Sequence, residues 1–594
     1  MTATSGQLAL LYGQGSANGV IGGVTSTYNV TAPVNLPDGP NFSTQLGAGG
    51  AVKNYTVITS LGIAGDTSST SLQGMNNSQG SLYALGANID ASDTINWNGG
   101  LGFMPVNVGG GLDGLGHVVS NLTINRPAQD YVGMISATYQ SAKVSNIGLS
   151  GGSITGNNIV GGLIGMSAFG GVVSNSFSNA NVTGALFVGG LVGYAPGALT
   201  ITKSYNSGAV TGYSNVGGLI GQSMGGLQLS QSFNLGQITA TAPNSFFYGN
   251  AGGLVGSASG ANIEDVFNLG RVQSTNSAAV IGGVVGDATD NSVIQRSYNN
   301  GVISGRESIG GISGYNRSGS NILNSYNLGS VYAEWSSGGI TGYNYGGIIT
   351  NTFNSAAITS GVGTAGAIVG NNYFGIVTDS YWNSNVASRG TYFGNPNWGG
   401  HNLEGVAQNV RALSSDAMKQ PQNYTATSNS ATPLWDFNDI WYASGSSTLI
   451  LRSSPFVATA KFGATQTYGS VNTASAVNYA NMWGNDDSSI VSGLTLNTTA
   501  SGFSGAGDYA ITGTGASATN AASGVNYIFI FKPGTLTINK AHLTVTANNA
   551  NKTYGDANPL LGTTVSGFVN GENLATSGVS GAGVASTAAT TTTG

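Results

Sequence analysis

Short apolar runs, each interrupted by paired glycines, recur along the middle of the chain. The run Val188-Gly-Gly-Leu-Val-Gly193 returns in varied form, and its second glycine provides a marker at Gly162, Gly190, Gly218, Gly253, Gly283, Gly311 and Gly339, with Ala367 in the same register. The intervals between these markers are 28, 28, 35, 30, 28, 28 and 28 residues. A fixed period of this kind indicates a repeat protein, in which each unit buries its apolar face against the next unit.

A second marker keeps the same period. About fifteen residues after each glycine comes an aromatic residue, usually followed by asparagine: Phe177, Tyr205, Phe233, Phe267, Tyr298, Tyr326, Phe353 and Tyr381. Between the two markers lie short alternating segments such as Gly208–Thr211 and Gly301–Ser304, bounded by glycine and asparagine. Alternation with period two, bounded by turn residues, predicts short strands rather than helices.

These patterns predict an all-β fold, a right-handed parallel β-helix (solenoid) followed by small β-rich tandem modules. Each repeat of residues 132–400 should form one coil, stacked on the last at about 4.8 Å. Equivalent residues then form columns: an aliphatic stack that includes Leu191 and Leu219, an aromatic stack, and asparagine amide ladders. The paired glycines should mark a corner that needs either positive φ or close backbone approach.

The regions on either side of the repeats differ in composition. Residues 1–131 should be a β-rich segment leading into the solenoid, and residues 401–455 a cap with a short helix near 414–420. Tyr468-Gly469 recurs 86 residues later as Tyr554-Gly555. This spacing predicts a module at 456–541 and a truncated second one at 542–594, whose Ser/Thr/Ala/Gly tail should be disordered. Because Thr2–Gln7 contains no cationic signal region, we expect a fragment of an exported protein.

Two families resemble these segments. The repeats, with Gly-Gly-Leu-Val-Gly, then Ser-Tyr-Asn, then Gly-x-Val-x-Gly, resemble the GLUG repeats of bacterial surface proteins, including the filamentous haemagglutinin family. The two C-terminal modules resemble the MBG family of immunoglobulin-like repeats. The resemblance implies a two-partner-secretion-type exoprotein that is secreted or displayed at the cell surface, an outer-membrane secretion partner, and a role in adhesion.

Composition excludes several other classes of protein. Charged residues make up 6% of the chain and the net charge is −6, whereas nucleic-acid binding depends on clustered cations. The chain has no cysteine, which excludes disulfides and thiolate sites. No run reaches the roughly 18 apolar residues of a membrane-spanning helix. The surface should therefore be neutral and rich in hydroxyl and amide groups.

Catalytic chemistry finds little support in the sequence. An enzyme on a β-helix needs carboxylates that converge on one groove, and the repeats offer only Glu264, Asp265, Asp287, Asp290, Glu307, Glu334 and Asp379, at unrelated phases. Asp113 and His117 are spaced for metal binding but lack a third ligand nearby, which favours a glycine-rich turn in which Asp113 bonds its own backbone. We therefore predict no catalytic residues, no metal and no cofactor.

Aromatic residues on predicted loops remain as candidates for binding glycans or proteins of a host or matrix. They are Phe246, Phe247, Tyr248, Tyr373, Phe374, Tyr392, Phe393 and Trp398. The alternative is that these rings plug the end of the solenoid beneath the cap. The sequence thus favours a non-enzymatic adhesin whose solenoid serves as a rigid stalk and display surface. A carbohydrate-active enzyme and an accessory region of a larger surface protease remain as alternatives.

Overall fold

The computed structural model describes residues 6–593 apart from gaps at 31, 78–79, 140, 242–248, 276–278, 387–392, 394–404, 425–434, 444–448, 454–455, 471–475, 481, 483–485, 499, 502, 522–524 and 582. The chain divides into two compact units, Met1–Ser454 and Pro455–Gly594. The first unit is a parallel β-solenoid of about 12 turns, and the second consists of small β-rich modules. The fold predicted from the repeat pattern is thereby confirmed, with its handedness remaining a prediction.

Five short strands make up a typical coil, and equivalent strands of successive coils pair in parallel as five ladders. The first ladder precedes the paired glycines and comprises Val160–Gly161, Leu186–Gly189, Ser214–Gly217, Ala251–Gly252, Val280–Gly282, Ser308–Gly310, Ser336–Gly338 and Thr364–Gly366. The second follows the glycines and comprises Val106–Val108, Ile135–Thr138, Ile164–Ser167, Val192–Ala195, Ile220–Ser223, Val255–Ser259, Val285–Thr289, Ser313–Arg317, Thr341–Tyr345 and Val369–Tyr373.

A corner separates the third ladder from the fourth. At this corner one residue adopts the left-handed conformation, as Lys203 does at φ 51°. The third comprises Leu82–Leu85, Gly111–Asp113, Lys143–Ser145, Gly171–Ser174, Leu199–Thr202, Gln228–Ser230, Asn262–Glu264, Val293–Gln295, Asn321–Leu323 and Ile348–Thr350. The fourth comprises Ile89–Asp90, Val118–Ser120, Gly148–Ser150, Phe177–Ser178, Tyr205–Asn206, Phe233–Asn234, Phe267–Asn268, Tyr298–Asn299, Tyr326–Asn327 and Phe353–Asn354. Ile376–Asn383 and Val406–Leu413 continue both ladders as single long strands.

The fifth ladder closes each coil. It comprises Thr123–Asn125, Ser153–Thr155, Asn181–Thr183, Val210–Gly212, Ile238–Ala240, Val272–Ser274, Ile303–Gly305, Val331–Ala333 and Ile358–Ser360. Aliphatic side chains from these ladders form one continuous core that runs from Ile58 to Trp382. The predicted aliphatic stack lies in this core, since Leu163, Leu191, Leu219, Leu254, Ile312, Ile340 and Ile368 are all fully buried.

Parallel stacking extends past both ends of the predicted range 132–400. At the start, Leu82–Leu85 pairs in parallel with Val52–Ile58, which then pairs antiparallel with Gly39–Leu46, and Leu8–Tyr12 pairs with Gly39–Leu46. A hairpin, Val20–Ile21 with Val24–Thr25, and 3₁₀ helices at Gln73–Asn77 and Ser92–Gly100 complete this end. The hairpin of Gly39–Leu46 and Val52–Ile58 covers the end of the parallel stack. An uncovered edge strand would leave its backbone N–H and C=O groups unpaired.

At the other end, Val406–Leu413 forms a further parallel strand, so residues assigned to the cap begin by continuing the stack. The predicted helix is two 3₁₀ turns, Ala417–Lys419 and Pro421–Asn423. Trp441–Tyr442 then pairs antiparallel with Ile450–Leu451. Buried Trp435 and Trp441 lie 5.5 to 6.3 Å from the rings of Tyr381, Phe353 and Tyr326. This segment therefore packs along the aromatic stack as well as after the last coil.

The aromatic residues of the fourth ladder stack ring upon ring. From Phe177 to Phe353, successive centroids are 4.8 to 5.0 Å apart and ring planes differ by 2 to 11°. The next residue points the opposite way, because side chains alternate along a strand. That residue is Ser178 after Phe177 and a buried asparagine in the next six coils. Asn206, Asn234, Asn268, Asn299, Asn327 and Asn354 form an amide ladder with N···O distances of 2.8 to 2.9 Å. Both predicted columns are confirmed.

The paired glycines interlock with the asparagine ladder. Gly190 lies outside the left-handed region, and a Cβ there would lie 2.1 Å from Gly218 O and 2.5 Å from Asn206 Cγ. Close backbone approach, rather than positive φ, is thus the reason for glycine. Asn206 Nδ2 also donates to Gly208 O at 2.8 Å. The two sequence markers keep one period because the asparagine that follows the aromatic residue contacts the second glycine in six coils, from Gly190 to Gly339.

We expect the solenoid to lose stability in alkaline solution through its stacked tyrosines. Burial raises the pKa of Tyr205 to about 12 and raises the pKa of Tyr298 and Tyr326 as well. Unfolded tyrosine titrates near pH 10, so the stability from these phenols is complete below about pH 10 and is lost as the pH rises through their folded pKa values. Melting temperature measured against pH checks this. Changing all three tyrosines to phenylalanine, as in neighbouring coils, should weaken the pH dependence, and an unchanged profile would contradict the assignment.

The second unit contains a five-stranded sheet in the order Ala476–Ala480, Phe456–Thr467, Tyr527–Asn539, Gly507–Thr514 and Thr495–Thr498, with a 3₁₀ turn at Ser488–Ile490. Phe456–Thr467 and Tyr527–Asn539 pair in parallel, around a core of Ala460, Phe462, Ile511, Leu536 and Ile538. A hairpin, Thr544–Ala547 with Thr563–Ser566, follows. The predicted disordered tail starts at about Ser580, and its described residues 580–581 and 583–593 contain neither helix nor strand. Asn558 donates to Ala589 O at 2.7 Å.

Candidate binding surface

Three of the eight predicted binding aromatics lie within the described residues. Tyr373 ends a strand of the second ladder, and Phe374 follows it at the left-handed φ of 54°. Phe393 is half-buried and packs against the solenoid core, which is the environment expected if these rings close the end of the solenoid. The other five, Phe246, Phe247, Tyr248, Tyr392 and Trp398, lie outside the described residues.

Tyr373 and Phe374 belong to a group of five rings on the outer face of the second ladder. Its members are Tyr315, Tyr343, Tyr345, Tyr373 and Phe374, and we call this group the aromatic surface. Tyr343 lies 5.3 Å from Tyr315 and 5.2 Å from Tyr373 between ring centroids. Parallel pairing creates the group, since it aligns Tyr315 with Tyr343 and Tyr345 with Tyr373.

Two rings of the aromatic surface are open to solvent. Tyr345 is 47% exposed and Phe374 is 52% exposed, with ring centroids 5.7 Å apart and planes at 88°. The other three rings are half-buried behind them, and burial raises the pKa of Tyr343 to about 12. Tyr343 therefore keeps its proton near pH 7. The surface offers exposed ring edges and faces together with phenol hydroxyls.

An ion pair borders the aromatic surface. Arg317 Nη2 lies 2.5 Å from Asp287 Oδ2, and its Nε donates to Asp287 Oδ1 at 2.9 Å. The guanidinium carbon is 5.8 Å from the Tyr315 ring centroid, within range of a cation–π contact. The hydrogen bonds with Asp287 raise the pKa of Arg317. This bidentate pair fixes the arginine beside the rings.

Beneath the aromatic surface, a second amide ladder holds the strands in position. Asn316 donates to Asn344 and Asn344 to Asn372, each at 2.8 Å. These residues point inward because they alternate with the tyrosines along each strand. The inner amide ladder thereby holds the backbone of the strands that carry the tyrosines. A backbone that is already ordered loses less conformational entropy when a ligand binds.

The other acidic residues of the repeats that form ion pairs do so with arginines one coil away. Arg296 contacts both Glu264 and Asp265 at 2.7 Å, and Arg306 contacts Glu334 at 2.7 Å. Asp265 and Arg296 occupy successive corners of the same column, at φ 54° and 47°. These pairs are not among the features predicted from the sequence, although the 31 residues between Asp265 and Arg296, close to one repeat, are a signal for them.

Asp113 and His117 lie apart from the aromatic surface, near the start of the solenoid. The buried Asp113 carboxylate accepts from Leu115 N at 2.9 Å and Asn146 Nδ2 at 2.9 Å, and also from the Tyr28 hydroxyl. His117 Nδ1 lies 3.2 Å from Asn88 Oδ1 and its Nε2 lies 3.0 Å from Val34 O, and burial lowers its pKa. Both side chains thus connect the N-terminal segment to the coils. Across the described parts of the chain, no three His, Cys, Asp or Glu side chains are grouped as metal ligands.

Parts of the chain are similar to a known protein family and to a known protein. The family described as MBG domain (YGX type) matches residues 457–537 and 543–594, which confirms the resemblance of the two C-terminal modules. Halomucin of Haloquadratum walsbyi (strain DSM 16790 / HBSQ001) is 39% identical over 115 residues, which is 18% of this chain but 1% of halomucin. The chain therefore corresponds to a very small part of that relative's length.

One solved structure covers much of the chain. It is a candidate immunoglobulin A1 protease from Bacteroides ovatus, which covers 68% of this chain and 97% of its own at 15% identity and a TM-score of 0.30. A likeness of that size gives no argument about activity. The MBG modules, the β-solenoid and the similarity to halomucin support a surface-associated repeat protein. Among the described residues, no helix is both long and apolar enough to span a membrane. The GLUG and filamentous haemagglutinin resemblance stays a prediction.

Proposed function

We propose that the chain is a non-enzymatic adhesin region of a secreted or cell-surface protein, exported with the help of an outer-membrane partner. In this proposal the solenoid is a rigid stalk and display surface. The contact with glycans or proteins of a host or matrix is made through the aromatic surface. The observation that carries the proposal is the exposure of Tyr345 and Phe374 on a backbone held by the inner amide ladder.

The chemistry of the aromatic surface suits a neutral, hydroxyl-rich ligand such as a glycan. Aromatic rings pack against the apolar faces of sugars, while tyrosine hydroxyls and the Asp287–Arg317 pair offer hydrogen-bonding groups at the edge. Large single-sign charge is absent, since only 6% of the chain is charged. Such a site would bind weakly, and many copies on one cell would raise the avidity.

The distribution of carboxylates favours a binding role over hydrolysis. Glycoside hydrolysis needs two carboxyl groups that lie about 5 to 10 Å apart on either side of the same bond. In the solenoid, Asp287, Glu264 and Asp265 are each held by an arginine of the following coil, and Glu334 is held by Arg306 of the preceding coil. Each of these four carboxylates is therefore already engaged by an arginine.

Replacing Tyr345 and Phe374 together by serine should reduce binding of the full chain to its ligands about 30-fold. The reason is that exposed aromatic anchors commonly contribute more than about 1 kcal/mol each to an interface. Binding is measured on an array of glycans and matrix proteins, with circular dichroism to verify the fold. The matched control replaces Phe169 and Tyr213, which are 69% and 41% exposed elsewhere on the solenoid.

Loss of binding in the first variant alone supports the proposal. Equal binding by both variants and the wild type would place the contact elsewhere, and binding by none of them would leave the solenoid as a stalk. Release of reducing ends from any polysaccharide on the array would overturn the non-enzymatic assignment.

A further inference from the structure

The Tyr-Gly pair that recurs in the two MBG modules, Tyr468-Gly469 and Tyr554-Gly555, has different neighbours in each module. In the first module, Tyr468 follows the strand Phe456–Thr467, and its backbone N donates to Asn539 O at 2.8 Å. Its hydroxyl donates to Glu572 Oε1 of the second module at 2.6 Å, across 104 residues of sequence. The tyrosine therefore connects the two modules directly.

Gly469 contacts the same turn of the second module. Its φ is +85°, and a Cβ there would lie 2.4 Å from Val569 Cγ2. Two features require glycine at position 469: the left-handed conformation and the close approach of the Val569 side chain. Tyr468 and Gly469 thus form a docking turn, and residues 566–572 of the second module form the turn that receives it.

The first module carries an equivalent of the receiving turn, but without the residues that make the contact. Val491-Ser-Gly493 corresponds to Val565-Ser-Gly567, and both glycines have positive φ, 73° and 95°. This alignment places Thr495 at the position of Val569 and Thr498 at that of Glu572. The valine and the carboxylate therefore occur in the module that follows a docking turn and are absent from the module that follows the solenoid.

The second module repeats the docking turn without this contact. Gly555 has φ +93° with no atom within 4 Å of a Cβ position, and Tyr554 is 70% exposed. Each module therefore forms the turn conformation by itself, with or without a partner. The contacts of the first turn with Val569 and Glu572 are not needed to form that conformation, so folding of the module alone does not account for the Tyr468–Glu572 hydrogen bond.

We propose that the Tyr-Gly turn of an MBG module is a docking element for the next module, which receives it through a Ser-Gly-Phe-Val-x-x-Glu turn. The contact holds the junction Lys540–Leu543 in one conformation, so that tandem modules form a stiff rod. Tyr554-Gly555 is, on this proposal, an equivalent surface for a further MBG module that carries the same receiving turn.

Limited digestion of the full chain with trypsin tests this docking. Lys540 lies at the junction, and cleavage after it should be slow while the two modules are docked. Tyr468→Phe and Glu572→Gln each remove the hydrogen bond with little change of volume, and each should raise the rate of cleavage after Lys540 several-fold. The double variant should cleave no faster than either single variant, because both remove one interaction.

Two controls make the outcome decisive. Tyr554→Phe alters the same motif where the contact is not made, so its rate of cleavage after Lys540 should equal that of the wild type. Cleavage after Lys461, inside the sheet of the first module, reports unfolding of that module. An unchanged rate after Lys540 in the Tyr468 and Glu572 variants, or an equal increase after Lys461, would overturn the proposal.

Discussion

Tyr326→Ala is expected to destabilise the solenoid by about 3–5 kcal/mol, the usual cost of removing a buried aromatic side chain. The Tyr326 ring is 2% exposed and stacks between Tyr298 at 4.9 Å and Phe353 at 4.8 Å. It also lies 6.0 Å from Trp441 of the C-terminal segment. Denaturant unfolding of the full chain, followed through the far-ultraviolet circular dichroism of its strands, measures the effect.

Tyr326→Phe is the matched control, because Phe233, Phe267 and Phe353 occupy the same column and it should leave the stability below pH 10 nearly unchanged. Since coils are coupled to their neighbours, hydrogen exchange in the alanine variant should increase in the coils on both sides of Tyr326. An unchanged unfolding curve for Tyr326→Ala would mean that the stacked rings contribute nothing to stability and that their column is wrongly assigned.

Asn299→Asp should have an effect of similar size, about 3–5 kcal/mol at neutral pH, because it buries a charge without a partner. Asn299 is fully buried, and its Nδ2 donates to Asn327 Oδ1 and Gly301 O, both at 2.9 Å. A carboxylate would point an oxygen at both of these acceptors. The amide ladder would break at this coil, and the melting temperature should fall accordingly.

The loss should depend on pH in a defined direction. Burial raises the pKa of a carboxyl above its unfolded value of about 3.9, so the folded variant is favoured when the group is protonated. Stability should therefore recover as the pH falls below the folded pKa and be lowest above it. Asn300→Asp provides the control, since Asn300 is the exposed neighbour in the same corner. Equal effects of the two substitutions would exclude a role for the ladder.

The sequence predicts the parts of the fold that repeat. An aromatic residue followed by asparagine, as at Tyr205 and Asn206, recurs in six successive coils. Parallel stacking turns each of these two positions into a column in which equivalent side chains contact one another. The N-terminal hairpin of Gly39–Leu46 and Val52–Ile58 occurs once, so no period indicates it. Its strands end the stack through pairings that depend on contacts between distant residues.

The candidate site is predicted less completely for the same reason. Tyr373 and Phe374 attract attention as a local aromatic pair, but the group they join includes Tyr315, 58 residues earlier in the chain. The 28-residue separation of Tyr315 and Tyr343 was available as a signal. Whether a ring in such a column faces solvent depends on what packs over it. Phe353 and Tyr345 are both aromatic and both on outer faces, yet Trp435 and Trp441 cover one of them only.

The ladders also determine how the solenoid bears mechanical load. Its backbone hydrogen bonds point along the stacking direction, so tension between its ends pulls neighbouring coils apart. The interfaces between coils are in series, and each one carries the full tension. Extension would then proceed by peeling single coils from an end, each of about 28 residues releasing roughly 100 Å of chain. The hairpin at one end and the tryptophan-rich segment at the other determine the force at which peeling starts. Additional coils would lengthen the solenoid without lowering that force.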